Sequence, residues 1–180
     1  YALSADTAIF MPSPLGHSVG AWHGGRLSLF LGAHLVLQDH WDPEAALAAI
    51  DRHSCQFTAA ATPFLKDLLD APWSAGSPKM SSLTSFLCGG APVPASLIEE
   101  AARQAPDTFV TVLWGMTEGG VTTCPPGTPA ETVAHSAGYP LPGLELTILP
   151  AEGVTGGVGE LAMRGPGVFI GYLGQDEMYR

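Results

Sequence analysis

Charged residues are scarce in this sequence, and most of those present are acidic. Of the 180 residues 13% are charged, with seventeen Asp and Glu against seven Lys and Arg and a net charge of −10; an average soluble domain is about a quarter charged. The only lysines are Lys66 and Lys79, and they form no basic cluster. Because nucleic acids and anionic lipid surfaces are recognised through basic patches, we expect neither as a partner.

Long apolar runs and paired cysteines are lacking too. The longest uncharged apolar run covers residues 27–37, which is shorter than the roughly 20 residues of a transmembrane helix, so no membrane span is predicted. The opening YALSADTAIF has no basic start, and no signal peptide is predicted. The three cysteines, Cys55, Cys88 and Cys124, match no zinc or disulfide spacing. We therefore expect reduced thiols and a cytoplasmic protein.

Apolar residues, in contrast, make up 46% of the chain, which suffices for a well-formed core. Helix-start signals, in which a capping residue or a proline opens the first turn, occur at Asp42-Pro43, Thr62-Pro63 and Pro94-Ala95. They predict helices to about residues 53, 69 and 104. Short apolar runs predict buried strands at 7–11, 55–60, 83–88 and 109–113. Residues 71–82 are typical of a surface loop.

This alternation of strand and helix predicts a parallel sheet covered by helices on both faces. After residue 121 we find no good helix. Two strands, 144–149 and 160–164, lie there between turns rich in glycine and proline. The predicted fold class is therefore α/β: an α/β unit over residues 1–136, followed by part of a small antiparallel β unit over 137–180.

Two segments follow predicted strands at the sheet edge where ligands bind in open parallel sheets. They are residues 89–94 (GGAPVP) and 113–120 (LWGMTEGG). Glycines in both segments allow the backbone to approach a base or a phosphate without a Cβ in the way. The helix that starts near Pro94 would direct unpaired N–H groups toward the same place.

Glu118 is the only acid between Asp107 and Glu131, and its surroundings are apolar or glycine. A carboxylate in this position can hold Mg²⁺, which prefers oxygen ligands and bridges to phosphate. The hydroxyl of Thr117 could donate to a phosphate oxygen, and Trp114 offers an aromatic face for a base. Residue spacing alone leaves a second interpretation open, in which Glu118 is an ordinary loop acid and Trp114 a core residue.

Five segments resemble the adenylate-forming acyl-CoA synthetase superfamily. In chain order they are MPSPLGHSVG, GGAPVP, LWGMTE, GYPLPGLELTI and GELAMRGPGVFIGY. LWGMTE and GELAMRGPGVFIGY are specific as a pair, and the resemblance is strongest to bacterial ligases for short-chain, medium-chain or alicyclic acids. It implies a two-step reaction, in which a carboxylic acid and ATP give an acyl-adenylate and coenzyme A then displaces AMP to give a thioester.

The resemblance also implies roles for particular residues, with ATP, Mg²⁺ and coenzyme A as the small-molecule partners. The implied nucleotide-binding residues are Gly90, Ala91, Pro92, Trp114, Gly115 and Thr117. Thr117 and Glu118 are the implied catalytic pair, Thr117 at the α-phosphate and Glu118 on the metal. The implied acyl-pocket residues are His17, Gly89 and Met116.

Three elements of the superfamily are absent from these 180 residues: the lysine-containing phosphate loop, the Thr-Gly-Asp that holds the ribose, and the small C-terminal domain with its catalytic lysine. We therefore expect an internal piece of a larger ligase that is inactive alone. Two alternatives stay open: an adenylation domain that loads a carrier protein, and a non-catalytic nucleotide-binding module. An NAD-dependent oxidoreductase is excluded because no G-x-G-x-x-G follows a strand.

Overall fold

A computed structural model describes residues 1–73, 79–150 and 157–175. The strands are β1 (Ala8–Met11), β2 (His34–Leu37), β3 (Phe57–Ala61), β4 (Ser85–Gly89), β5 (Phe109–Met116), β6 (Gly119–Thr123), β7 (Tyr139–Pro140), β8 (Glu145–Pro150) and β9 (Gly159–Arg164). The α-helices are α1 (Leu27–Leu31), α2 (Pro43–Arg52), α3 (Thr62–Asp70), α4 (Ala95–Gln104) and α5 (Ala130–Ala134). A π-helical turn, Gly20–Arg26, runs directly into α1.

Seven strands form one sheet in the order β2-β1-β3-β4-β5-β6-β7. The strands from β2 to β5 in that order are parallel to one another. β6 and β7 continue the sheet in antiparallel pairings, and β8 and β9 form a separate antiparallel pair. The structure thus confirms the predicted α/β fold, a parallel sheet with helices followed by a small antiparallel unit.

Both faces of the sheet are covered near β1. Successive side chains of a strand point to opposite faces, so neighbouring residues of β1 belong to different clusters. Phe10 belongs to the larger buried cluster, which is built with residues of α2, α3, α4 and α5. Its neighbours Ile9 and Met11 belong to a smaller cluster. Val19 and Leu27, which flank the π-helical turn on either side, pack against this cluster. The sheet is therefore buried on both sides near β1, as its apolar strands require.

One of the predicted helix starts differs in detail. Asp42 caps α2 as expected, and its carboxylate accepts a hydrogen bond from the amide of Ala45 at 3.0 Å. Thr62, expected to cap α3, is instead the first residue of that helix, and its hydroxyl donates to the carbonyl of Pro92 at 3.3 Å. This bond joins the start of α3 to the GGAPVP segment.

The expectation of no helix after residue 121 is wrong, because α5 forms there and buries Val133. The structure also contains β2, β6 and β7 and the helical residues 20–31, none of which the sequence pattern predicted. Gly32, with φ +70°, ends α1 and divides the apolar run 27–37 between a helix and a strand. Of the predicted loop 71–82, residues 74–78 lie outside the described residues.

The first residue is tied to the middle of the chain. The hydroxyl of Tyr1 donates to the carbonyl of Cys124 at 2.8 Å and lies 2.7 Å from Oγ1 of Thr123. All three cysteines are free and buried. The predicted division at residues 136 and 137 stays a prediction; β7, which follows it, pairs with β6 in the large sheet. Among the described residues, no helix has the length and apolar character that crossing a bilayer would need.

Candidate functional site

A cavity of about 480 Å³ lies at the carboxyl end of the parallel strands. The segment after β1, the end of β4, the β5–β6 hairpin and the turns beside β8 and β9 all contribute to it. Its lining consists of residues 17–19, 22, 23, 90, 113, 115–121, 141–144, 166 and 167. Ligands bind at this edge in open α/β sheets, so the cavity stands where the fold favours a site.

The β5–β6 hairpin supplies most of the lining. LWGMTEGG was expected to follow a strand, but β5 continues to Met116 and turns into β6 at Gly119, so the segment is a strand–turn–strand. Gly115 permits this tight pairing, because a Cβ there would lie 2.4 Å from the carbonyl oxygen of Gly120. The hairpin brings Thr117 and Glu118 to the turn that faces the cavity.

Glu118 is the only acidic residue in the lining, and no lysine or arginine contributes to it among the described residues. Its Oε1 accepts a hydrogen bond from the hydroxyl of Tyr172. That bond holds the pKa of the Glu118 carboxyl below its ordinary value, so the group is ionised at neutral pH. The amide of Phe169 donates to the Glu118 carbonyl at 2.7 Å, so the backbone is held as well.

The donors at this turn suit a hard cation. Glu118 offers a carboxylate and Thr117 a hydroxyl, both oxygen ligands of the kind that Mg²⁺ selects. In the described part of the chain no three His, Cys, Asp or Glu side chains come together as a metal site. Mg²⁺ in enzymes is commonly bound through one or two carboxylates together with substrate phosphates and water. The residues present therefore fit a magnesium ion that arrives with a phosphorylated substrate.

His17 lies at the rim of the cavity, on the segment that follows β1. Its Nδ1 accepts a hydrogen bond from the amide of Val19 at 3.2 Å. An imidazole nitrogen that accepts a hydrogen bond carries no proton, so in the neutral ring the proton is on Nε2. The side chain is exposed, and it can present this N–H to a ligand in the cavity.

His23 also lines the cavity, although it is not among the site residues that the sequence predicted. Burial lowers the pKa of this imidazole, which is therefore uncharged at neutral pH. Its position on the π-helical turn 20–26, six residues after His17, could not be recognised as part of the site from residue spacing. Trp22, beside it, adds an aromatic surface to the lining.

The remaining predicted site residues lie outside this cavity. Gly89 is buried in β4, and Trp114 lies within β5, where its ring approaches Gly120. Ala91 and Pro92 line a separate, open depression of about 380 Å³ beside α3 and α4. The structure thus brings His17, Gly90, Gly115, Met116, Thr117 and Glu118 together, and it leaves the other four apart.

The chain is similar in sequence to proteins of known function. The family described as AMP-binding enzyme matches residues 1–173. A medium-chain fatty-acid–CoA ligase of Escherichia coli is 33% identical over 98% of this chain and 31% of its own length. A salicyl-AMP ligase / salicyl-S-ArCP synthetase of Mycobacterium tuberculosis is 35% identical over 95% of this chain and 31% of its own length.

A solved structure shows the same fold. O-succinylbenzoate coenzyme A synthetase (MenE) from Bacillus subtilis, in complex with ATP and magnesium ion, matches with a TM-score of 0.80 and 25% identity, over 98% of this chain and 36% of that one. This chain spans about a third of the length of the curated relatives it matches.

Proposed function

Because the chain belongs to the AMP-binding enzyme family, we propose that it forms the nucleotide- and acid-binding part of an ATP-dependent acid–CoA ligase. The observation that carries the proposal is the meeting of His17, Gly90, Thr117 and Glu118 around one cavity at the carboxyl edge of the sheet. The acid–CoA ligase of Escherichia coli, 33% identical over nearly all of this chain, supports the same activity. The activity is proposed for the whole protein, because this chain spans only about a third of the length of the relatives it matches.

The proposed reaction has two steps. A carboxylate oxygen of the acid attacks the α-phosphorus of ATP; the bond from that phosphorus to the β-phosphate oxygen breaks, and pyrophosphate leaves. The thiol of coenzyme A, having lost its proton, then attacks the acyl carbon, and the bond to AMP breaks. Negative charge develops on phosphate oxygens in the first step, so fixed donors and a cation at the α-phosphate would lower its barrier.

Thr117 and Glu118 are the residues we assign to this first step. Thr117 would donate its hydroxyl to an α-phosphate oxygen, and the ionised Glu118 would hold Mg²⁺. The bound ion would neutralise charge on the phosphates. The magnesium and ATP complex of the Bacillus subtilis synthetase supports these assignments at the level of the fold. Gly90 and Gly115, which line the cavity, are proposed for the nucleoside. Ala91, Pro92 and Trp114 lie outside the cavity lining, and their proposed part in nucleoside binding rests on the resemblance alone.

His17 is the proposed donor toward the acid. Its Nε2–H, set by the Val19 bond to Nδ1, can hydrogen-bond the carboxylate before attack and the acyl-adenylate afterwards. Met116, 46% exposed and next to Thr117, would contact the acyl chain. Gly89 carries no side chain and lies buried in β4, so its proposed part in the acyl pocket is only to leave space.

The lining indicates the class of acid. Trp22, Leu113 and Val121 are apolar, and among the described residues no cation faces the cavity to neutralise a second carboxylate. His23, whose pKa is lowered by burial, is neutral and supplies no charge to the lining. We therefore propose an apolar monocarboxylic acid, aliphatic or cyclic.

A carrier protein is the second candidate acceptor in place of coenzyme A. The salicyl-AMP ligase / salicyl-S-ArCP synthetase of Mycobacterium tuberculosis, 35% identical to this chain, favours it. Both candidates share the first step and differ only in the thiol of the second, which the residues of this cavity do not select.

One experiment tests the two proposed steps in turn. Full-length protein is incubated with ATP, Mg²⁺ and a panel of acids, and acid-dependent pyrophosphate release is measured. Coenzyme A and a phosphopantetheinyl carrier protein are then supplied in turn, and the thioester is identified by mass spectrometry. We expect medium-chain or alicyclic monocarboxylic acids to give release and coenzyme A to give the thioester. No release with any acid would overturn the proposal, and a thioester on the carrier alone would establish the second candidate.

A further inference from the structure

The segment after β9, residues 165–172, holds the turn that carries Glu118 at two points. The amide of Phe169 donates to the Glu118 carbonyl at 2.7 Å, and the hydroxyl of Tyr172 donates to Oε1 of the same residue. The rings of Phe169 and Tyr172 meet edge to face with centroids 5.0 Å apart. Backbone and side chain of Glu118 are thus fixed by one segment, 54 residues away in sequence.

The segment and the turn fit closely. Gly119, next to Glu118, has φ +134°, and a Cβ there would lie 2.7 Å from Cα of Val168 and 2.9 Å from the carbonyl oxygen of Gly167. These are backbone atoms, which cannot rotate away as the end of a side chain would. The 165–172 segment therefore packs directly against the turn, with Tyr172 within reach of the carboxylate.

We propose that Tyr172 is a positioning residue for the metal-binding carboxylate of Glu118. A free glutamate on an exposed turn samples many rotamers, and fixing them opposes metal binding. The Tyr172 hydroxyl occupies one acceptor position on Oε1, and an ionised carboxylate has about four such positions, so others stay available to a cation. Tyr172 thereby fixes the side chain in advance without consuming its capacity as a ligand. This inference rests on the proposed function, in which Glu118 holds Mg²⁺.

The competing interpretation is that Tyr172 serves only to hold the 165–172 segment in place. Tyr172→Phe separates the two, because it keeps the ring against Phe169 and removes only the hydroxyl. Tyr139→Phe is the matched control: it removes the hydroxyl of a tyrosine that is 57% exposed and outside the cavity lining.

The measurement is the gain in nucleotide affinity that Mg²⁺ provides. Full-length protein is titrated calorimetrically with α,β-methylene-ATP, which cannot be cleaved at the α-phosphate, with and without Mg²⁺. The ratio of the two dissociation constants is the metal enhancement. We expect Tyr172→Phe to reduce it about tenfold, the lower end of the 10–100-fold range for groups that orient metal ligands. Affinity without Mg²⁺ and the melting temperature should match those of Tyr139→Phe.

The same titration on Glu118→Gln and on the double variant completes the test. If Tyr172 acts through Glu118, the double variant shows the same metal enhancement as Glu118→Gln alone. An unchanged enhancement in Tyr172→Phe overturns the inference, and so does a further loss on the Glu118→Gln background, even if the melting temperature also falls. An enhancement that Glu118→Gln leaves intact would instead refute the metal role of Glu118, and with it the proposed function.

Discussion

Gly89 and Leu113 are register partners in the β4–β5 ladder, and a Cβ on Gly89 would lie 1.9 Å from the carbonyl oxygen of Leu113. Two adjacent strands therefore come together at the cavity edge in a way that only glycine permits. Both strands are central in the sheet and cannot move apart without disturbing their other neighbours.

Gly89→Ala is consequently expected to destabilise the fold by about 3 kcal/mol, the upper part of the range for overpacking a well-packed core. Gly16→Ala is the matched control, since a Cβ at Gly16 meets no atom within 4 Å, and should change stability by less than about 0.5 kcal/mol. Urea denaturation of the two variants compares the free energies of unfolding. Equal midpoints would show that β4 and β5 accommodate the methyl group.

Substitution of His17 should affect use of the acid and leave use of ATP nearly unchanged. Loss of one hydrogen bond to a charged group costs about 1.5–3 kcal/mol, so in full-length protein His17→Ala should lower kcat/KM for the acid by roughly 10–100-fold. His17→Gln, which can offer an amide N–H, should retain more activity than alanine. The exposed His40→Ala, outside the cavity lining, is the control. Unchanged acid kinetics with a lower melting temperature would identify His17 as structural.

Glu118→Gln keeps the shape of the side chain and removes its charge. We expect acyl-adenylate formation in full-length protein to fall by at least about 100-fold, as when one transition-state donor is removed from other enzymes. The melting temperature should stay within about a degree, because the residue is at a surface turn. Pyrophosphate release is measured beside Glu99→Gln, an exposed acid on α4. Equal rates of pyrophosphate release in the two variants would show that Glu118 is an ordinary loop acid with no part in the reaction.

The cysteines predict a dependence of stability on alkaline pH. Burial raises the pKa of Cys55 and of Cys88 to about 11, above the value of about 8.5 for a thiol in an unfolded chain. The unfolded state therefore loses these protons first, and the stability that the neutral thiols contribute is complete below about pH 8.5 and is lost as pH rises toward 11.

Denaturation midpoints measured between pH 7.5 and 10.5 check this expectation. The double variant Cys55→Ala, Cys88→Ala should show a shallower decline than the unmodified chain. Aromatic disulfide reagents should also modify both thiols in the native protein at least about 100-fold more slowly than in denaturant, because the thiolate is the reactive form. Parallel declines in the two proteins would show that the thiols titrate alike when folded and unfolded.

Local signals in the sequence were sufficient for the helices that begin with a cap or a proline, such as α2 and α4, and for the buried parallel strands. They were insufficient where structure depends on distant partners. β6 opens with Gly119 and Gly120, which are typical of a turn. Its three β-branched residues favour a strand but are too short a run to predict one, so β6 becomes a strand only by pairing with β5. α5 has five residues, too few for a periodic pattern.

In the site, too, residues with a local signal were predicted and those that depend on distant partners were not. Glu118 and Thr117 stood out because an acid and a hydroxyl occur in glycine-rich surroundings, and the structure puts both at the cavity. Tyr172 ends the GELAMRGPGVFIGY segment that carried the resemblance, but no local signal connected it to Glu118, which lies 54 residues earlier. Trp114 was expected just after a strand and lies within one, because the end of β5 depends on β6, which was not predicted.

The bond from Tyr1 to Cys124 has a consequence for synthesis on the ribosome. Residue 124 is made 123 residues after Tyr1, which at about 5–20 residues per second takes roughly 6 to 25 s. During that interval Tyr1 has no access to its partners Thr123 and Cys124. Ile9, Phe10 and Met11 of β1 likewise wait for β3, the next strand on their inner side. The nascent chain thus carries the apolar strand β1 well before the sheet can close over it, a period in which chaperone contact would protect it from aggregation.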